Sequence, residues 1–129
     1  MEVAERKRFP KSERLRLKKN LDQLFNNGQS FVSYPLKIVY LSKIAGNPSD
    51  MGIRILISVP KIRFKSAVQR NNVKRLIREA YRLNKNDYTS KGKSLYIAMI
   101  YVSNEIVTFA NMEKAILKAL TKIGQSQEA

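Results

Sequence analysis

The sequence predicts one α+β domain, a small two-layer sandwich in which a mixed sheet carries helices mainly on one face. Its 129 residues suit a single domain, and 43% of them are hydrophobic, which is enough for a modest core. Along the chain the hydrophobic pattern follows the order helix, strand, strand, helix, strand, helix. Because each amphipathic element must bury one side, this order favours a single sheet packed against helices.

The first predicted helix covers residues 18–27. Leu21, Leu24 and Phe25 recur at helical spacing, so they share one face of that helix. Gly28 suits the end of the helix, because glycine is the commonest residue just past a helix C-terminus.

Two strands are predicted next, after a basic and weakly patterned N-terminal arm (1–16) and the first helix. Residues 31–41 and 53–59 alternate in hydrophobicity, and the polar turn at 45–50 separates them. Pro35 cannot donate a backbone hydrogen bond, so it marks either a bulge or the start of a strand.

The second half of the chain predicts a long helix, a buried strand and a final helix. Ser66 and Gln69 have the spacing of a capping box at the start of the long helix. The apolar run 95–102 is typical of a strand covered on both faces. The last helix is expected to end at Gly124, and the tail 125–129 is expected to fray.

Charge is the most unusual property of the sequence. It has 25 Lys and Arg against 10 Asp and Glu, a formal net charge of +15. So large a surplus on a small domain costs self-repulsion, which a polyanionic partner relieves. The sequence therefore predicts a nucleic-acid-binding protein.

The composition argues against catalysis by the chain itself and against a membrane protein. His and Cys are both absent, and the ten acids are scattered along the sequence, so we expect no catalytic residue and no metal site in the protein. The longest apolar run, 95–102, is far shorter than the ~20 residues that cross a bilayer. The N-terminus lacks the apolar stretch of a signal peptide, and we expect a cytoplasmic protein.

The long helix carries the predicted nucleic-acid contact. On a helical wheel, five cations and one amide fill a single arc of roughly 140°. An ordinary solvated helix would interleave acids to relieve the repulsion along this arc, but the only acid, Glu79, lies just past its edge. Arg guanidinium groups match phosphate geometry, so we expect this face to grip a phosphate backbone. The six residues are Arg70, Asn71, Lys74, Arg75, Arg78 and Arg82.

The same segment resembles a known family. The run 70–82, Arg-Asn-Asn-Val-Lys-Arg-Leu-Ile-Arg-Glu-Ala-Tyr-Arg, is preceded by Ser-Val-Pro-Lys at 58–61. Together they are similar to the signature of the bacterial ribonuclease P protein subunit, and the resemblance extends over about residues 9–123. Two positions depart from the family pattern, because Asn72 and Met99 stand where its members often carry Arg.

The resemblance implies a protein that assists a catalytic RNA in removing the 5′ leader from precursor tRNA. The basic arc of the long helix, Arg82 included, would contact that RNA, and Mg²⁺ would be bound mainly by the RNA rather than by the protein alone. A cleft between the sheet and the long helix would hold the single-stranded leader, and no further protein partner is required. The leader-binding residues implied are Leu21, Phe25, Val39, Tyr40, Ser58 and Lys61.

The resemblance also implies the fold of the ribosomal protein S5 domain 2-like group, with a left-handed crossover through the long helix between two parallel strands. That hand is rare among such connections, and periodicity alone does not predict it. Two alternatives stay open. One is a ribosomal or other structural RNA-binding protein with a similar α+β fold. The other is a nuclease that acts alone, which would need converging acids.

Overall fold

The structure of the protein, a computed structural model, describes residues 18–44, 52–84 and 93–128. The predicted N-terminal arm, the turn at 45–50 and most of the loop before the last strand lie outside these ranges. Three helices and four strands are described: α1 (Lys18–Asn27), β1 (Gln29–Ser33), β2 (Leu36–Ile44), β3 (Gly52–Ser58), α2 (Ala67–Asn84), β4 (Lys93–Tyr101) and α3 (Phe109–Glu128).

The four strands form one mixed sheet in the order β1-β2-β4-β3. The β1–β2 and β2–β4 pairs are antiparallel, whereas β3 and β4 are parallel neighbours joined through α2. The predicted mixed α+β architecture is therefore confirmed. The left-handed course implied for the α2 connection stays a prediction.

The predicted strand 31–41 is two strands rather than one. The chain turns at Tyr34 and Pro35, so that Ser33 pairs with Leu36 in an antiparallel hairpin. Pro35 thus lies in the turn between β1 and β2, where its missing backbone N–H costs the sheet no hydrogen bond.

The main core lies between one face of the sheet and helices α2 and α3. Side chains at alternate positions of the strands point into it, as the period of two requires. Its fully buried members include Leu36, Ile38, Ile97, Ile77 and Ile116. Two of the three helices therefore share this face, as predicted.

A second, smaller core lies on the opposite face of the sheet, beneath α1. Leu24 is completely buried there against Val39, Tyr96 and Ala98. Strand β4 is thus covered on both faces, which explains why residues 95–102 are almost continuously apolar. Because α1 packs alone on this side, the architecture adds a partial third layer to the predicted two.

The last helix differs from its prediction at its C-terminus. It begins after Thr108, whose Oγ1 accepts a hydrogen bond from the Asn111 backbone at 3.2 Å, and it continues through Gly124 to Glu128. Glycine permits a left-handed helix end but does not impose one. The predicted helix end at Gly124 is therefore wrong, whereas the fraying of the tail 125–129 stays a prediction.

A close approach of two backbone segments fixes the end of α1 at Gly28. Its N–H donates to the Leu24 carbonyl at 2.8 Å. A Cβ at this position would clash with that same carbonyl and would lie 2.9 Å from the Tyr40 carbonyl oxygen on β2. Gly28 is therefore required by space rather than by a positive φ.

We expect Gly28→Ala to lower the free energy of unfolding by about 1–3 kcal/mol, because the added methyl group must displace backbone atoms. Urea denaturation measures this loss. Asn26→Ala, at an exposed position of the same helix, is the matched control and should change stability by less than about 0.5 kcal/mol. Equal stability of the two variants would contradict the close packing inferred at Gly28.

Candidate nucleic-acid interface

Helix α2 begins where the capping pattern predicts. The Ser66 Oγ accepts a hydrogen bond from the Gln69 backbone at 3.4 Å, and the Ser66 carbonyl accepts one from the Arg70 backbone at 3.1 Å. The first contact satisfies one of the backbone donors that every helix leaves unpaired at its start, and the second is the first hydrogen bond of the helix itself. The first helical residue is accordingly Ala67.

Burial fixes the rotation of α2 about its own axis. Val73, Ile77 and Ala80 are completely buried in the main core, as the apolar side of the helical wheel predicts. Tyr81, expected at the edge of that side, is also completely buried, whereas Leu83 remains 36% exposed. With this side held inside, the opposite arc of the helix faces solvent.

The structure places the predicted basic arc at the surface. Asn71, Arg75 and Arg78 are exposed, and Lys74 is partly exposed. Within residues 18–44, 52–84 and 93–128, no ion pair neutralises these three cations. They form a surface charge that the described part of the chain does not compensate, although their contacts with RNA remain a prediction.

One cation of the arc is paired within the helix. The Arg82 Nη2 lies 2.8 Å from the Glu79 Oε2, and both side chains are partly exposed. Because this is a surface pair three residues apart, it contributes little to stability and can exchange for a phosphate. Arg82 is therefore paired in this structure but remains able to contact an external anion.

Arg70 has a structural contact that the sequence did not predict. Its Nη1 donates to the carbonyls of Phe64 at 2.8 Å and Lys65 at 2.9 Å, in the loop between β3 and α2. Helical side chains lean toward the helix N-terminus, so an Arg in the first turn naturally reaches the preceding loop. Arg70 thus holds that loop against the start of α2.

The two positions that depart from the family pattern have different surroundings. Asn72 is exposed, beside the basic arc. Met99 is completely buried in the main core, so it offers this chain no surface for RNA.

The residues expected to bind a leader lie mostly on the α1 side of the sheet. Leu21 is partly buried against the smaller core, whereas Phe25 is 50% exposed. Val39 is buried beneath α1, and Ser58 lies on the same face because it follows Leu56 by two positions in β3. Lys61 is exposed in the turn after this strand.

Tyr40 does not join this group. It faces the main core, with its ring edge-on to Phe31 at 5.9 Å between ring centroids, and its hydroxyl donates to the Gln29 Oε1 at 2.8 Å. Of the two neighbours Val39 and Tyr40, only Val39 lies on the α1 side. The resemblance implied either Val39 or Tyr40 at this point of the strand, and the alternation of β2 places only Val39 beside α1.

The expected cleft must also be moved. It was predicted between the sheet and the long helix, but α2 packs on the main-core face, opposite the smaller core beneath α1. On the α1 side, sequence reasoning missed three side chains that are partly buried against the smaller core, Leu41, Leu56 and Ile100. We call the region that they form with α1 the α1 surface.

Among the residues that the structure describes, acidic groups do not converge on either surface. In the described ranges, no group of three or more His, Cys, Asp or Glu side chains could hold a metal ion. Nor is any helix of those ranges both long and apolar enough to cross a membrane.

Among the phenols, burial raises the pKa of Tyr101, whose hydroxyl donates to the Glu105 carbonyl in the loop before α3.

We expect Arg70→Ala and Arg75→Ala to have different effects on stability. Arg70→Ala should lower the free energy of unfolding by about 1–3 kcal/mol, because two loop carbonyls lose a charged donor. Arg75 is exposed and unpaired within the described residues, so Arg75→Ala should change it by less than about 0.5 kcal/mol. Urea denaturation of both variants measures the difference, and equal midpoints would show that the Arg70 contact contributes nothing.

The whole chain can now be compared with known proteins. The family model Ribonuclease P matches residues 9–124. The ribonuclease P protein component of Porphyromonas gingivalis is 43% identical over 118 residues, which cover 88% of this chain and 84% of that protein. The corresponding protein of Clostridioides difficile is 34% identical over 102 residues, covering 78% and 83% of the two chains.

Solved structures agree with these sequence matches. The RNase P protein from Thermotoga maritima is 27% identical and superposes with a TM-score of 0.67, covering 85% of this chain and 96% of that one. A Staphylococcus aureus RNase P protein mutant, at 21% identity, gives a TM-score of 0.68 over 89% and 90% of the two chains, which supports the fold alone. On the family match and the identities to its members, this chain belongs to the ribonuclease P protein family.

Proposed function

We propose that this chain is the protein subunit of a ribonuclease P and assists the removal of 5′ leaders from precursor tRNA. The observation that carries the proposal is the basic face of α2, which the burial of its other side holds outward and whose Lys74, Arg75 and Arg78 have no ion pair among the described residues. This face lies on the segment that most resembles the family signature. The relatives are named ribonuclease P protein components, so we infer that this surface binds RNA in the ribonuclease P reaction.

The proposed partner of α2 is the catalytic RNA. Arg75 and Arg78 supply planar guanidinium forks and Lys74 a compact ammonium, and both types of cation bind phosphate oxygens. Asn71, exposed on the same face, can donate to or accept from a base edge or a ribose hydroxyl. The core beneath holds the helix rigid, so the cations are preorganised for one RNA surface.

The proposed partner of the α1 surface is the single-stranded leader. The half-exposed Phe25 ring offers a base a stacking surface, and the partly buried Leu56 and Ile100 provide an apolar floor. Ser58 lies at the end of β3 and Lys61 follows it, where a hydroxyl and an ammonium can bind the phosphate backbone of the leader. Stacking beside cations binds single strands with little sequence preference.

We assign bond cleavage to the RNA. The sequence has neither His nor Cys, and its ten acids are scattered, so the chain lacks the commonest general base and the usual sets of metal-ligating side chains. In this proposal Mg²⁺ is bound mainly by RNA phosphates. The protein contributes binding energy for the leader and screens repulsion between two RNAs, in the cytoplasm where we expect it to act.

Reconstitution tests the proposal. The purified chain, the catalytic RNA from the same genome, and a precursor tRNA are combined at low magnesium, and release of the 5′ leader is measured. We expect cleavage only when both chain and RNA are present, with a steep loss as salt rises. Cleavage by the protein alone would instead support a nuclease that needs no RNA, and no effect on the RNA reaction would support a structural RNA-binding role.

We expect Phe25→Ala to reduce the preference for leader-bearing over mature tRNA while binding of the catalytic RNA is retained. Loss of one stacked base is worth about 1–3 kcal/mol, so the preference should fall by roughly 5- to 150-fold. Ile106→Ala, an exposed apolar residue in the loop before α3, is the matched control and should leave the preference unchanged. If Phe25→Ala weakens leader-bearing and mature tRNA equally, Phe25 does not bind the leader.

A further inference from the structure

A second row of cations lies on α3, outside both surfaces described above. Lys114, Lys118 and Lys122 are spaced four residues apart, and all three are exposed. The side chains buried in the core, among them Ala115 and Ala119, lie on another side of this helix. The Cβ atoms of residues at this spacing lie about 5–6 Å apart, so the three lysine side chains leave one face of the helix in a row.

No acid compensates this row within the part of the chain that the structure describes. Glu113 is the only acid of α3 whose side chain is described, and its Oε2 accepts a hydrogen bond from the Asn84 Nδ2 of α2 at 3.2 Å. That contact directs Glu113 toward α2. Each like-charged pair four residues apart costs a few tenths of a kcal/mol in a helix, and an external anion would relieve this repulsion.

The row lies near the opposite edge of the sheet from β3. The Lys122 Nζ is 4.5 Å from the centroid of the Phe31 ring on β1, and the Ser33 Oγ of β1 donates to the Ala115 carbonyl at 2.7 Å. Strand β1 is one edge of the sheet, and β3, which leads into α2, is the other. The α3 row and the α2 arc are therefore carried by different helices above different strands.

We propose that Lys114, Lys118 and Lys122 form a second phosphate-binding surface, which takes a backbone segment of the catalytic RNA other than the one bound by α2. Lysine ammonium groups bind phosphate as point charges, without the planar fork that reads a base edge. The row accordingly binds RNA without sequence preference. This inference rests on the proposed function, because the RNA it names is the partner proposed for α2.

The salt dependence of RNA binding tests the row. The affinity of the full chain for the catalytic RNA is measured at several salt concentrations for wild type and for Lys114→Gln/Lys118→Gln, leaving Lys122 in contact with Phe31. Each lost phosphate contact reduces the slope of log K against log salt by about 0.7–0.9, so we expect a reduction of roughly 1.5. Lys114→Arg/Lys118→Arg keeps the charge and is expected to keep the slope.

A second pair of substitutions tests whether the two surfaces bind separate segments. Arg75→Ala/Arg78→Ala removes cations from α2, and the loss of slope in the combined four-residue variant should equal the sum of the two separate losses. An unchanged slope for the Gln variant would overturn the proposal, as would a combined loss no greater than that of the α2 variant alone. Unfolding midpoints in urea confirm that each variant is folded.

The design separates this inference from the proposed function. If wild type binds the catalytic RNA no better than an unrelated RNA of equal length and does not assist cleavage, the proposed function fails and the specific partner named here fails with it. If cleavage is assisted but the Gln variant keeps the wild-type slope, only the α3 row fails.

Discussion

Burial of one side of α2 is the constraint on which the proposed RNA contact depends. Val73, Ile77 and Ala80 are completely buried, and a fully buried aliphatic side chain such as Val or Ile contributes about 1.5–3 kcal/mol. Repulsion between neighbouring cations of the outer face costs only about 0.2–0.5 kcal/mol per pair. The apolar contacts therefore outweigh the repulsion, and they hold Arg75 and Arg78 outward even when no anion is bound.

The sheet separates the two proposed RNA surfaces. Strand β4 is covered by the main core on one face and by the smaller core on the other, and α2 and α1 lie on these opposite faces. A single-stranded leader bound at the α1 surface would therefore not compete for space with an RNA bound along α2. This arrangement suits a protein that must hold two RNAs at once, because neither has to leave for the other to bind.

Sequence patterns predicted local structure better than they predicted which face meets which partner. The bounds of α1 and the cap of α2 at Ser66 were confirmed, because periodicity and capping depend on neighbouring residues. Val39 and Tyr40 show the limit: alternation requires them to face opposite sides, but only tertiary packing decides that α1 covers Val39. Gly124 shows another, because the same residue can end a helix or lie within one.

The loop between β3 and α2 connects the two proposed surfaces, and Arg70 holds it in place. The loop carries Lys61 at one end, while near the other Phe64 is buried with its ring centroid 6.0 Å from that of Tyr101. A guanidinium group has five N–H donors, so Arg70 can hold two loop carbonyls through Nη1 and still offer other donors to a phosphate. A lysine ammonium that donated to both carbonyls would have one N–H left, and it lacks the planar fork that matches a phosphate. Arg70 therefore fixes the loop that carries Lys61, and under the proposed function its remaining donors would bind RNA at the start of the basic arc.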